Sequence, residues 1–281
     1  MRPRQWTKNI FVLAALVFDR QLTNISALTR SIAGMFLFCL LSSAVYFLND
    51  IMDVESDRAH PEKRTRPIAS GILSIPVAWG MVVVLLLFTL PLAFYLSTGF
   101  GIISVVYFLL NVAYSLWLKH IPLIDVIVVA SCYVIRVAAG VSLITVERFS
   151  PWLYIVTTLF ALYIGFGKRR SELALLSTEA RTHRRVLDGY TIPFLDQLIT
   201  IVSGTTVIAY SLYTFTAPNV PENHSMMLTI PFVLYGIFRY LYLISIKNMG
   251  GAPEELALKD RPLQITVLLF GISVFVIFYL F

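Results

Sequence analysis

The sequence predicts an all-α, polytopic membrane protein of about nine transmembrane helices, arranged as two four-helix units plus one. Three observations carry that prediction. Charged residues make up only 14% of the 281, against about 25% in a typical soluble domain. Hydrophobic residues reach 58%. The charge-free stretches recur at about the 20-residue length that a bilayer requires. A disordered chain, a basic nucleic-acid-binding domain and an ordinary cytosolic globule are excluded together, because each needs more charge at its surface. Cys39 and Cys132 both sit in apolar runs, which argues against a disulfide framework or a cysteine metal site.

The elements follow in order. Arg2, Arg4 and Lys8 precede a short apolar run, 9–18, which needs its flanks to span. Asp19-Arg20-Gln21 follows in place of a small-residue cleavage site, so the run reads as a retained first helix rather than a signal peptide. Charge-free spans then occupy 31–48, 76–96, 100–118, 149–167, 197–221 and 262–281. Two more, 126–146 and 226–246, each carry one intramembrane arginine, Arg136 and Arg239. With this count, most of the 22 Lys and Arg share one side of the membrane. They lie in the N-terminus, in 58–66, at Lys119, in 168–185, and at Lys247, Lys259 and Arg261. Arg20, Arg30 and Arg148 fall opposite. The positive-inside rule makes the crowded side cytoplasmic. Two long polar loops, 50–73 and 168–190, lie on it and follow the second and sixth spans, which suggests a parallel tandem repeat.

The strongest motif is Asn49-Asp50-Ile51-Met52-Asp53-Val54-Glu55-Ser56-Asp57. On a helix with Asn49 at zero, Asp53 falls at about 40°, Asp57 at about 80° and Asp50 at about 100°, while Glu55 turns away near about 240°. Three carboxylates and an amide on one arc repel unless a cation joins them, and hard oxygen ligands suit Mg²⁺ bridging to phosphate. Arg58, Lys63, Arg64 and Arg66 follow, the kind of cations that neutralise a diphosphate; a positive-inside anchor is the alternative for each. His60 reads as a loop histidine. Lys8 and Asn9 open the first helix on the same side. Tyr114 and Lys119 close the fourth span and Asp125 opens the fifth. Asp125 and Arg136 are separated by about 20° around that helix and about 16 Å along it, one polar stripe entering the membrane. Lys168 and Glu172 form an i,i+4 pair, and Lys168 and Arg169 leave the sixth span as candidates for phosphate. Arg181, Arg184 and Arg185 read as an interfacial basic face. Asp196 and Arg239 are expected to pair.

These residues resemble the UbiA superfamily of intramembrane prenyltransferases across essentially the whole chain. Five segments resemble one branch more narrowly: Arg2 to Asn9, Leu48 to Asp53, Arg66 to Gly71, Tyr114 to Lys119 and Gly167 to Leu173. That branch is the actinobacterial decaprenyl-phosphate phosphoribosyltransferases. The resemblance implies one UbiA-like domain over 1–281, with the two long loops capping the active site. It implies Mg²⁺-dependent transfer of 5-phosphoribose from phosphoribosyl pyrophosphate to a polyprenyl phosphate, for cell-wall arabinogalactan. Asp50, Asp53 and Asp57 would be catalytic, and with Asn49 would hold the metal. The plasma membrane is the implied location. Phosphoribosyl pyrophosphate, the lipid phosphate and the membrane are the implied partners; nucleic acid is not, and a homo-oligomer is left open. One departure favours this branch. The family's second Asp-rich motif is replaced in 168–190 by Glu172, Glu179 and Asp188 spread among six cations. The Tyr-x-x-x-Lys spacing of some members is also lengthened, to Tyr114 and Lys119. The rival readings are an aromatic prenyltransferase of quinone synthesis and a lipid or small-molecule transporter. Clustering of charge at helix ends, rather than at the bilayer midplane, disfavours the transporter.

Overall fold

A computed structural model of the chain describes residues 3–59, 63–145, 150–176, 185–247, 256 and 259–280. Arg2, His60, Glu179, Arg181 and Arg184 lie outside the described residues, as do the side chains of Arg4 and Arg185. Every element described is helical. A 3-10 segment, Pro3–Leu13, leads into α1 (Ala14–Phe18), followed by α2 (Ile25–Met52), the short α3 (Val54–Ala59), α4 (Ile75–Leu96), α5 (Thr98–Leu116) and α6 (Ile124–Val141). Then come α7 (Pro151–Leu176), α8 (Ile192–Thr216), α9 (Ile230–Ser245) and α10 (Arg261–Tyr279).

Among the described residues, seven helices are long and apolar enough to cross a membrane. The sequence predicts nine. The first expected span is only the short apolar stretch Gln5–Phe18. The sixth, α7, is 26 residues long, but its helix runs on through Lys168, Arg169, Arg170 and Glu172, so its apolar part is diluted by its own charged end. The multi-pass membrane assignment stands. Outward-facing Val77, Val83, Val84, Leu87 and Phe88 on α4 suit lipid rather than water.

By packing, the chain divides into two compact units, Met1–Val128 with Ile135–Val146, and Val129–Val134 with Glu147–Phe281. Most of α6 therefore belongs with the first unit, whereas the tandem-repeat reading starts the second unit there. The cause is local. A Cβ on Gly140 of α6 would meet the backbone oxygen of Val12 at 2.0 Å. Only glycine permits that approach, which locks the N-terminal segment against α6.

Within the first unit, α2 starts at Asn24, whose side chain caps the Ala27 N–H at 3.2 Å. Phe38 of α2 packs against Phe100 and Tyr107 of α5 at 5.9 and 4.9 Å between ring centres. Lower on α2, Phe47 and Ile51 bury with Ala78 and Val82 of α4 and with Ile68 from the connecting loop. That loop turns back through Gly71, whose φ of +83° is glycine's region. Pro76 begins α4 at a position that needs no N–H donor.

Within the second unit, the Tyr163 hydroxyl of α7 donates to the Ile237 carbonyl of α9 at 2.7 Å, and its ring meets Tyr240 edge-on at 5.2 Å. Arg239 does not pair with Asp196. Its Nε and Nη2 grip Asp260 at 3.2 and 2.8 Å, and Asp196 instead accepts from Arg170 Nε at 2.5 Å. Asp260 is also the N-cap of α10, accepting the Leu263 N–H at 2.9 Å. The cap needs a carboxylate within reach of the first turn, and Arg239 follows it there.

Two outcomes test these contacts. Gly140→Val forces a branched Cβ onto the Val12 carbonyl; it should cost about 1–3 kcal/mol, read as a lower unfolding midpoint in detergent. The Arg239 hydrogen bond holds the Asp260 carboxyl below the ordinary carboxylate range; burial opposes it, and the Leu263 N–H adds to the lowering. A lowered folded pKa contributes stability above the unfolded value, and loses it as pH falls through the folded value. The midpoint difference between the protein and its Asp260→Asn variant should therefore hold at neutral pH and shrink below about pH 4.

Candidate active site

The acidic motif lies where α2 ends. Asp53 caps that helix with φ −95° and ψ 8°, and its carbonyl accepts the Asp57 N–H at 2.8 Å. The chain thus passes from α2 into α3 with only a one-residue break, and the expected arc of acids survives it. Glu55 points away, exposed and joined to Arg58 at 3.1 Å.

The arc resolves into two groups. In the first, Asp53 receives the Asn49 amide at 3.1 Å on one oxygen and Lys119 Nζ at 2.5 Å on the other. The Asn49 carbonyl oxygen accepts the Ser115 hydroxyl at 3.2 Å. In the second, a single nitrogen of Arg66, Nη1, donates to Asp50 at 3.2 Å and to Asp57 at 2.5 Å. Asp57 is almost wholly buried, with a side chain 3% exposed. Asn49, Asp50, Asp53, Asp57, Arg66 and Lys119 are therefore brought together, and Ser115 joins them. Ser115 is a residue that sequence reasoning passed over; the signal available was its place beside Tyr114 at the end of α5.

Each cation has a local reason to be there. Arg66 sits in a tight turn, its N–H bonded to the Lys63 carbonyl at 2.9 Å and its carbonyl to the Ser70 N–H at 2.8 Å. Ile68 and Ala69 bury next to it, and Arg58 ties the same turn down by donating from Nε to the Ala69 carbonyl at 3.3 Å. Arg58 thus ties down the loop with a side chain that is still about half exposed. Lys63 and Arg64 are exposed. Lys119 lies in a 3-10 turn, Leu118–His120, directly after α5. The connection to α6 then passes through Leu123 at φ +66°, a conformation that costs a bulky L-residue energy and is found where geometry is constrained.

The expected polar stripe of α6 is buried within the first unit. Asp125 is buried. Arg136, 4% exposed, donates from Nε to the Asn9 carbonyl oxygen at 2.8 Å and from Nη2 to the Tyr107 hydroxyl at 2.8 Å. The Asn9 amide reaches Cys39 and Ser42 of α2, each at 3.2 Å. Asn9 is wholly buried, with its neighbour Lys8 half-buried. Asn9 and Arg136 therefore bind each other rather than facing a ligand, and Tyr107 is the partner that the sequence did not reveal. Tyr114 is half-buried.

In the second unit, taken by itself, Glu172 pairs with Arg169 at 2.5 Å rather than with Lys168. The i,i+3 partner has the nearer approach, and the shorter link leaves Lys168 half-buried beside it. Arg170 adds a bond to the Ile244 carbonyl at 3.1 Å.

Asn49, Asp50, Asp53 and Asp57 offer hard oxygen donors of the type that hold Mg²⁺. Among the described residues, no three acidic, histidine or cysteine side chains are gathered closely enough to hold one ion by themselves. Arg66 and Lys119 hold the carboxylates in separate pairs. The donor types fit a divalent cation that also takes oxygens from a phosphate substrate.

The model of the UbiA prenyltransferase family matches residues 9–258. The chain is 35% identical over 272 residues to a decaprenyl-phosphate phosphoribosyltransferase of Mycobacterium tuberculosis, covering 95% of this chain and 89% of that one. It is 34% identical over 280 residues to the protein of the same name from Corynebacterium glutamicum, covering 95% and 82%. A UbiA homologue from Archaeoglobus fulgidus bound to GPP and Mg²⁺ superposes with a TM-score of 0.75 at 19% identity, covering 99% of this chain and 97% of that one. At that identity the likeness is one of fold.

The shared arginine makes a stability prediction. Arg66→Ala removes the cation from buried Asp57 and should cost about 3 kcal/mol. Adding Asp57→Asn should restore most of the loss, in a double-mutant cycle read by thermal unfolding in detergent. Additive losses would show that the pair carries no coupling.

Proposed function

Because the chain belongs to the UbiA prenyltransferase family, we propose that it turns that fold to pentosyl transfer. It moves 5-phosphoribose from phosphoribosyl pyrophosphate to a polyprenyl phosphate and releases pyrophosphate. The supporting observation is the 35% identity, over 95% of the chain, to relatives named for this reaction. The decaprenyl chain of those names is the expected lipid. The reaction takes place at the plasma membrane, with the N-terminus and the acidic cluster facing the cytoplasm, and supplies arabinogalactan synthesis.

Asn49, Asp50, Asp53 and Asp57 would hold Mg²⁺. The ion would supply positive charge that stabilises the negative charge developing on the departing pyrophosphate. The bond between C1 of ribose and the pyrophosphate oxygen breaks with its electron pair on oxygen. A lipid phosphate oxygen supplies the pair for the new bond to C1. That nucleophile is already an anion, so no general base is required. Arg66 and Lys119 would neutralise phosphate, with Lys63 and Arg64 as the further cations for the 5-phosphate or the lipid phosphate. Positioning and electrostatics then supply most of the rate.

The test uses purified protein with Mg²⁺, labelled phosphoribosyl pyrophosphate and a polyprenyl phosphate. Label should enter the lipid phase. Transfer from a prenyl diphosphate to an aromatic acid in its place would overturn the reading. Asp53→Ala should lower turnover by at least about a hundredfold while the protein stays folded; near-normal activity would sink the metal assignment.

A further inference from the structure

The carboxylates that would bind a metal already have cations on them. Asp53 holds Lys119, and Asp50 and Asp57 share one nitrogen of Arg66. Neither cation is loosely exposed: the Lys119 side chain is 11% exposed and that of Arg66 is 25%. Three acids and two bases are held together in a half-buried set. A bare divalent ion entering it must push Lys119 and Arg66 off their acids. Two cations would then sit in a poorly solvated place without counter-charge, which is costly. A pyrophosphate group arriving with the ion removes that cost, because its oxygens accept charge-assisted hydrogen bonds from both displaced side chains.

From this geometry, and resting on the pyrophosphate substrate proposed above, we infer that Arg66 and Lys119 are exchangeable counter-ions. They occupy the acidic cluster when the site is free and move to pyrophosphate oxygens when it fills. The backbone on either side of Arg66 is fixed by its turn and by buried Ile68, so the exchange needs only side-chain rotation. The two cations therefore set substrate choice as well as binding. The metal is held firmly only when a pyrophosphate group comes with it, and by linkage pyrophosphate is held firmly only with the metal. A sugar monophosphate, which offers fewer oxygens, does not recruit the ion.

The experiment measures binding, not turnover. Mn²⁺ is titrated into purified full-length protein in detergent, with free Mn²⁺ read by electron paramagnetic resonance, for the protein and for its Arg66→Gln and Lys119→Gln variants. Gel filtration confirms that each is folded, and if one variant does not fold, the other carries the test. Without pyrophosphate, each variant should bind Mn²⁺ at least tenfold more tightly than the unaltered protein, because a competing cation is gone. With Mn²⁺ present, each should bind radiolabelled inorganic pyrophosphate at least tenfold more weakly. Unchanged or weaker Mn²⁺ binding in the variants overturns the exchange, as does undiminished pyrophosphate binding. The function itself is judged separately. Tightened Mn²⁺ binding alongside no transfer of phosphoribose would overturn the proposed reaction and uphold the exchange. Transfer alongside unchanged Mn²⁺ binding would do the reverse.

Discussion

A carboxylate that leaves water must find a positive partner, and in this chain that requirement organises the first unit. Asp57 is buried in the short α3, just beyond the end of the apolar α2. Arg66 must reach it, so the loop after α3 folds back, and Ile68 secures the fold-back against α2 and α4. Lys119 must likewise reach Asp53, so the end of α5 is held beside the end of α2, where Ser115 adds its hydroxyl to Asn49. The apolar contacts between α2, α4 and α5 are what make these approaches possible. The ion pairs decide which ends of those helices meet.

The same requirement explains what the sequence made legible and what it did not. The arc of Asn49, Asp50, Asp53 and Asp57 follows from helical periodicity alone, because the residues are neighbours in the chain. Membrane embedding follows from composition. Partner choice is another matter, since it depends on contacts between residues far apart. Lys119 and Asp53 are 66 positions apart, and no periodic pattern links them. Arg239 took Asp260 rather than Asp196 because Asp260 was already fixed as a helix cap. Glu172 took Arg169 rather than Lys168, although both lie within one helical turn. The end of the sixth span differs for a related reason: the sequence ends it at Gly167, where charges begin, but α7 runs on through them.

From the sequence, Lys8 and Asn9 only open the first helix on the cytoplasmic side. In the structure the N-terminal segment is part of the packing of the first unit. Trp6 donates its ring N–H to Ser43 at 3.2 Å, Asn9 links α2 to α6, and Gly140 lets the backbone at Val12 close in. Arg136 thereby receives an amide oxygen and a phenol hydroxyl, and its guanidinium also lies 4.9 Å from the Tyr107 ring centre. A positive charge at this depth is tolerable when such partners surround it.

That network also has an order in time. Asn9 and Arg136 are 127 positions apart, so one leaves the ribosome long before the other. When α6 is threaded into the bilayer, its arginine is a liability until it meets partners. Those partners, Asn9 and Tyr107, belong to segments already made. The hydrogen bonds of Arg136 to Asn9 and Tyr107 can form only after α6 has been made.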